Sequence, residues 1–157
     1  MDGLTFSKGI TYSFSSSAEI AAGGYFVVAR DSARFYEMYG SSADASWGYD
    51  SYNSLSNSGE PIEIVDSLGA LVDEVTYDDY SPWPSEADGD NADGDGPTLE
   101  LKDDALDNSL ASSWKVSGID HGTPGAANSM KSDIMLTNTS IAVSYTHLRA
   151  HETDSYL

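Results

Sequence analysis

The chain has no cysteine among its 157 residues. This absence excludes disulfide bridges, zinc sites built from thiolates and cysteine nucleophiles. Basic residues are also scarce, because seven lysines and arginines stand against 26 aspartates and glutamates and give a formal net charge of −19. Such a charge disfavours DNA, RNA and anionic membrane surfaces as partners, and leaves divalent cations and basic proteins as candidates.

Long hydrophobic runs are lacking as well. No segment approaches the roughly 18 apolar residues that span a bilayer, and the N-terminus shows no basic stretch followed by an apolar one, as a secretory signal would. Either export is signalled elsewhere or the chain is a piece of a longer protein, and we favour the second interpretation. A length of 157 residues allows one domain and the start of another, and an apolar content of 39% is sufficient for a packed core.

The clearest structural pattern is a pair of apolar-rich, β-branched segments at residues 61–65 and 70–77, separated by a short polar break that contains a glycine. Ile62 and Ile64 alternate with Glu63, which is the period-two spacing of a strand. The two segments predict a β-hairpin. Because a hairpin cannot bury its apolar face alone, we predict that the chain is all-β and closes into a β-sandwich.

The N-terminal half predicts two further strands and a short helix. Residues 4–14 have strand character, and the continuous apolar run at 25–29 predicts a central strand covered on both faces. Asp31 can cap a helix over residues 31–39, with Gly40 as its end. Apolar side chains at helical spacing favour packing of this helix against one end of the sandwich.

The C-terminal part changes character along its length. Residues 97–101 and 114–116 are strand-like and belong to a predicted domain at residues 1–128. After it we predict a linker at 129–133, a segment at 134–144 that resembles the first strand of a second β domain, and a tail at 145–157 that we interpret as non-native or disordered.

Short motifs follow one another in a recognisable order. They are IAAGGYFVVA at 20–29, LSNSGE at 55–60, VDEVTY at 72–77, WP at 83–84, ADGDGPTLEL at 92–101, DNS at 107–109, Trp114 and GTPGAAN at 122–128. In this order they resemble the bacterial branch of the lamin-tail domain family. The resemblance covers roughly residues 3–128, and it depends on the order of the motifs, since each alone is weak.

The resemblance implies an immunoglobulin-like β-sandwich. Such modules occur in exported or cell-surface bacterial proteins, often beside hydrolase domains such as nucleases and phosphatases, and are not regarded as catalytic. Adhesion, protein interaction or domain tethering is their usual proposed role, so the resemblance implies an extracellular or cell-surface location. Family members usually begin with a strand pair that this chain lacks. The chain is therefore expected to be N-terminally truncated and to leave one sheet edge exposed.

An acidic loop at residues 88–95 is a candidate Ca²⁺ site. It carries four carboxylates in eight residues, and residues 73–108 hold 13 of the 26 acids against one base, Lys102. Oxygen-rich loops with glycine suit Ca²⁺, although an EF-hand is excluded because Lys102 occupies the position of its bidentate glutamate. The alternative is a solvated acidic turn. The candidate ligands are Asp88, Asp90, Asp93 and Asp95.

Aromatic residues form a candidate interaction surface. Residues 41–58 show no sustained period and predict a surface loop, and an aromatic group also surrounds the two prolines at 82 and 84. Aromatic rings with a polar end favour half-solvated interfaces with a protein or a sugar. The alternative is that Trp83 packs into one end of the sandwich. The members of this candidate surface are Trp47, Tyr49, Tyr52, Tyr80 and Trp83.

No residue set indicates catalysis. Asp120 and His121 would need a serine to form a hydrolytic triad, and the chain has no Gly-x-Ser-x-Gly elbow. The sequence therefore predicts a non-catalytic interaction or tethering module of a larger exported bacterial protein, with a protein or cell-wall surface as partner. The alternatives are a Ca²⁺- or carbohydrate-binding module and an accessory domain of a secreted hydrolase. We expect no nucleic-acid binding and no membrane insertion.

Overall fold

The computed structural model describes residues 1–48, 53–84 and 96–129. Within these residues the chain is β-rich with one short helix, as the sequence predicts. The elements are β1 (Thr5–Lys8), β2 (Tyr12–Ser13), β3 (Val28–Ala29), α1 (Ser32–Tyr39), β4 (Ala45–Ser46), β5 (Glu60–Val65), β6 (Leu71–Tyr77), β7 (Leu99–Leu101), a 3₁₀ turn (Ala111–Ser113) and β8 (Trp114–Val116).

The described strands form three sheets. The largest has four strands in the order β2-β1-β5-β6. Strands β3 and β4 pair in parallel, and β7 and β8 pair antiparallel. The chain divides into two compact units, the first comprising residues 1–54 and 61–75 and the second comprising 55–60 and the residues from 76 onward.

The predicted hairpin is confirmed as β5 and β6. Its turn is fixed by Asp66, whose Oδ1 accepts hydrogen bonds from the amides of Leu68 and Ala70, each at 2.8 Å. Gly69 adopts a φ of 79°, a conformation that favours glycine. The predicted alternation holds for β5, because Ile62 and Ile64 are buried.

Residues 4–14 form two short strands, β1 and β2, with a turn at Gly9 between them. Strand β1 pairs antiparallel with β5 and contains a β-bulge, since Phe6 pairs with Ile64 and Lys8 with Glu63. Aromatic side chains pack together in this unit: the Phe6 and Phe14 ring centroids lie 5.7 Å apart, and Phe14 lies 5.7 Å from Phe26. This cluster contributes apolar packing to the first unit.

The predicted central strand at residues 25–29 is wrong in extent. Only Val28 and Ala29 are in a strand, and only Ala29 of the run is buried. The physical reason lies at Val27, whose amide donates to the Asp44 carboxylate at 2.7 Å. A side chain thus occupies the donor that a longer strand would use. The region predicted as a loop supplies the strand partner, β4.

Helix α1 begins and ends as its sequence signals predict. Asp31 Oδ1 accepts hydrogen bonds from the amides of Ala33 and Arg34, and Gly40 ends the helix in the left-handed conformation. The helix has no buried residue, and Tyr36 is 58% exposed. The expectation that it would pack over one end of a sandwich is therefore not met.

The second unit contains the antiparallel pair β7 and β8, at the predicted strand positions. Leu101 pairs with Trp114, and both are buried. The Trp114 indole donates to the Asn108 carbonyl at 2.7 Å and lies against Trp83, with ring centroids 5.9 Å apart. The predicted linker after Ser129, the strand-like segment at 134–144 and the tail at 145–157 lie outside the described residues.

No helix in the described ranges has the length and apolarity needed to cross a membrane.

Candidate functional site

The most elaborate polar site in the second unit surrounds Glu100 of β7, which is 0% exposed. Its Oε1 accepts from the Thr123 amide at 3.2 Å and the Thr123 hydroxyl at 2.9 Å. Its Oε2 accepts from the Ser129 amide at 2.8 Å and the Ser129 hydroxyl at 2.7 Å. A buried carboxylate is tolerated when its oxygens are hydrogen-bonded in this way.

The Glu100 site fixes the segment at residues 121–129 along β7. Asn128 reinforces it, because its side-chain amide donates to the Leu101 carbonyl at 2.8 Å. At the start of the segment the His121 amide donates to the Gly96 carbonyl at 2.7 Å, and His121 itself has a φ of 68°. Since Glu100 binds two residues of its own chain, the arrangement anchors the segment.

Ser117 holds the turn that leads to Asp120 and His121. The nearby Ser117 hydroxyl donates to the Ile119 carbonyl at 2.6 Å and accepts from the Thr98 amide at 3.0 Å. These bonds hold the turn that leads to His121. Residues 117–121 therefore have a role in closing the end of the β7 and β8 pair.

A charged cluster lies on the exposed side of the four-stranded sheet. The bulge in β1 allows Ser7 and Lys8 to reach one carboxylate: the Ser7 hydroxyl donates to Glu63 Oε1 at 2.5 Å and Lys8 Nζ to Oε2 at 2.6 Å. The hydrogen bond to Glu63 raises the pKa of Lys8, and the hydrogen bond from Lys8 lowers the pKa of Glu63. The cluster stabilises the pairing of β1 with β5 in an exposed setting, where such pairs contribute little.

A second buried polar contact lies in the second unit, where strand β5 begins and strand β6 ends. Tyr77 Oη donates to the Ser56 carbonyl at 2.5 Å and lies 3.3 Å from Glu60 Oε1. Burial raises the pKa of the Tyr77 phenol above its usual value, and the Glu60 charge adds to the rise. Gly59 lies directly against the Tyr77 backbone and has a φ of 86°, so the tight turn before β5 requires glycine there.

The aromatic residues predicted as an interaction surface have different environments. Trp83 is buried and packs on Trp114, whereas Tyr80 is 72% exposed. Trp47 is half-buried, and its indole donates to the Asn53 carbonyl at 3.0 Å. Tyr49 and Tyr52 lie outside the described residues.

The predicted Ca²⁺ ligands also lie outside the described residues, so the calcium site stays a prediction. These ligands are Asp88, Asp90, Asp93 and Asp95. Among the residues that the structure does describe, no three carboxylate or histidine groups come together as a metal site.

Sequence reasoning did not single out the exposed apolar side chains of the β5–β6 hairpin. Leu68 in the turn is 90% exposed, Leu71 is 56% exposed and Val72 is 45% exposed. Strand β6 is the outermost strand of the four-stranded sheet in the described part of the chain. The sequence does contain one signal for this exposure. Along strand β6, Val72 alternates with the buried Val75 and therefore faces away from the core.

Comparisons of the chain with protein-family models, with curated proteins and with solved structures found no match.

Proposed function

We propose that the chain is a non-catalytic, immunoglobulin-like β-sandwich module of a larger exported bacterial protein. Its role is adhesion or tethering at a cell surface, and its partner is a protein. The observation that carries this proposal is the run of exposed apolar side chains at the turn and the start of β6, which we call the hairpin patch and define as Leu68, Leu71 and Val72. These residues are close along the chain, and Leu71 and Val72 lie on opposite faces of the strand. Exposed apolar side chains grouped together mark interaction sites more often than scattered ones do.

The polar contacts of the described residues support a binding role over a reactive one. Glu100 is bound by Thr123 and Ser129, and the Glu63 carboxylate is bound by Ser7 and Lys8. In both sites the donors and acceptors belong to residues of the same unit and hold strands or segments in place. The side chains of the hairpin patch are 45% to 90% exposed and are therefore accessible to a partner.

Binding of the fluorescently labelled chain to intact bacterial cells and to isolated cell walls, measured by flow cytometry, tests the proposal. The double variant Leu71→Ser with Val72→Ser removes apolar side chains from the hairpin patch. The matched control is Leu106→Ser with Leu110→Ser, which removes leucines of similar exposure, 45% and 52%, from a different part of the chain.

We expect the wild-type chain and the control variant to be retained equally, and the patch variant to lose most of its retention. Protease treatment of the cells is expected to abolish retention, because the partner is a protein. Equal retention of the patch and control variants would contradict the proposal. Retention that survives protease and follows a carbohydrate on a glycan array would favour the sugar-binding alternative.

A further inference from the structure

Strand β6 offers backbone groups as well as side chains for recognition. Among the residues that the structure describes, it is the outermost strand of the sheet β2-β1-β5-β6 and, at seven residues, the longest strand. The outer edge of such a strand presents alternate backbone N–H and C=O groups. These groups form the hydrogen bonds by which an extended segment of another chain is added to a sheet.

The side chains of β6 indicate what kind of segment would fit. Leu71 and Val72 supply exposed apolar area on the two faces of the strand, and Glu74 follows Val72 on the same face and is also exposed. Side chains directly opposite each other on paired strands interact, and opposite charges there are favourable. An added strand would therefore combine apolar residues with a basic residue near Glu74.

The charge of the surrounding sequence also favours a basic partner. No lysine or arginine occurs in the sequence between Arg34 and Lys102. Lys8, whose pKa is raised in part by the Glu74 charge, is already paired with Glu63 at 2.6 Å. A second copy of β6 paired antiparallel about Asp73 and Glu74 would place acids opposite acids, which is unfavourable. Charge complementarity thus favours a basic partner over a second copy.

We propose that β6 binds, as an added strand, an extended segment of a partner protein in which lysine or arginine alternates with apolar residues. This inference rests on the proposed function and names the class of partner.

The test uses the full chain and a nine-residue peptide of alternating lysine and valine with blocked ends, titrated by fluorescence anisotropy at about 0.15 M salt. Two companion peptides are matched to it. One carries N-methyl groups on alternate residues, which keeps the charge and removes strand hydrogen bonds, and the other has glutamate in place of lysine. The variant Glu74→Lys reverses a charge on β6, and Glu37→Lys makes the same change on the exposed surface of α1.

We expect the lysine–valine peptide to bind the wild-type chain and Glu37→Lys with affinities within about twofold of each other. Glu74→Lys is expected to weaken binding roughly tenfold, because an attraction becomes a repulsion in a cross-strand pair. The N-methylated and glutamate peptides are expected to bind at least about tenfold more weakly. Equal binding of the N-methylated peptide, or equal losses in Glu74→Lys and Glu37→Lys, would show adsorption to the overall negative charge and overturn the inference.

Analytical ultracentrifugation of the free chain adds a separate check. A dimer that Leu71→Ser with Val72→Ser dissociates would show that the occupant of β6 is a second copy, and would overturn the inference. If the peptide fails to bind while cells still retain the wild-type chain and lose the patch variant, the proposed function stands and the strand-addition inference falls. If the peptide binds as expected but no cell surface retains the chain, the strand-addition inference stands and the proposed function falls.

Discussion

At the scale of single residues, the Glu100 carboxylate makes the clearest prediction for stability. It is fully buried, and its oxygens accept hydrogen bonds from Thr123 and Ser129. Glu100→Gln replaces one acceptor oxygen by a donor that faces other donors. We expect the substitution to lower the free energy of unfolding by about 2 kcal/mol, the usual cost of an unsatisfied buried polar group.

Urea denaturation monitored by tryptophan fluorescence measures this change. The control is Glu74→Gln, which makes the same substitution at an exposed site and is expected to stay within about 0.5 kcal/mol of wild type. Equal unfolding midpoints for the two variants would contradict the anchoring role of Glu100.

Tyr77 makes a prediction about alkaline pH. Burial raises the pKa of its phenol above the ordinary value of about 10. The neutral phenol therefore stabilises the fold fully below pH 10, and this contribution is lost as pH rises through the raised folded value. Tyr77→Phe removes the titrating group and also the hydrogen bond to the Ser56 carbonyl, which costs about 1 kcal/mol at pH 8.

We expect the stability gap between wild type and Tyr77→Phe to narrow as pH rises above 10, since only wild type then has to keep this phenol protonated. Urea denaturation at a series of pH values measures the gap. Tyr80→Phe, at an exposed tyrosine, serves as the control and is expected to show no gap at any pH. A stability gap that widens with pH would contradict a raised pKa of the Tyr77 phenol in the folded chain.

At the scale of elements, the β5–β6 hairpin separates buried from exposed apolar residues. Ile64 is 3% exposed and Leu71 is 56% exposed. We expect Ile64→Ala to lower the free energy of unfolding by about 2–4 kcal/mol, through lost burial and the cavity that remains. Leu71→Ala is the matched control, with an expected change below about 1 kcal/mol, and comparable losses in both variants would mean that β6 is covered in solution.

Elements with local signals could be predicted from the sequence, and those with distant partners could not. The capping group Asp31, the terminating Gly40 and the hairpin alternation all lie within the elements that they define, and these elements are confirmed. The run at 25–29 was predicted to be longer than the observed strand because its length depends on Asp44, whose carboxylate binds the Val27 amide. No pattern within the run carries that information.

The Glu100 site illustrates the same limit. Leu99 and Leu101 alternate with Glu100, and period-two spacing would leave the glutamate on a solvent-facing side of β7. It is instead covered by Thr123 and Ser129, which lie more than twenty residues further along the chain. Threonine and serine are abundant in this sequence, so their presence in a turn-rich terminus does not identify them as partners of a buried carboxylate.

At the scale of the whole molecule, composition disfavours some classes of partner, and sheet topology indicates where a partner would bind. A net charge of −19 disfavours nucleic acids and anionic membranes. The β-rich fold places an apolar and acidic strand at the edge of its largest described sheet. The strand-addition inference depends on that edge being open in solution.

Amide hydrogen exchange of the free chain, followed residue by residue by NMR, tests this dependence most directly. In β5, which has a neighbour on each side, we predict protection of all strand amides. In β6 we predict alternation, with one set of amides protected by β5 and the intervening set exchanging at rates near those of an unstructured chain. On addition of the lysine–valine peptide the second set should become protected. Full protection of β6 in the free chain would contradict the account, because the edge would then already be covered.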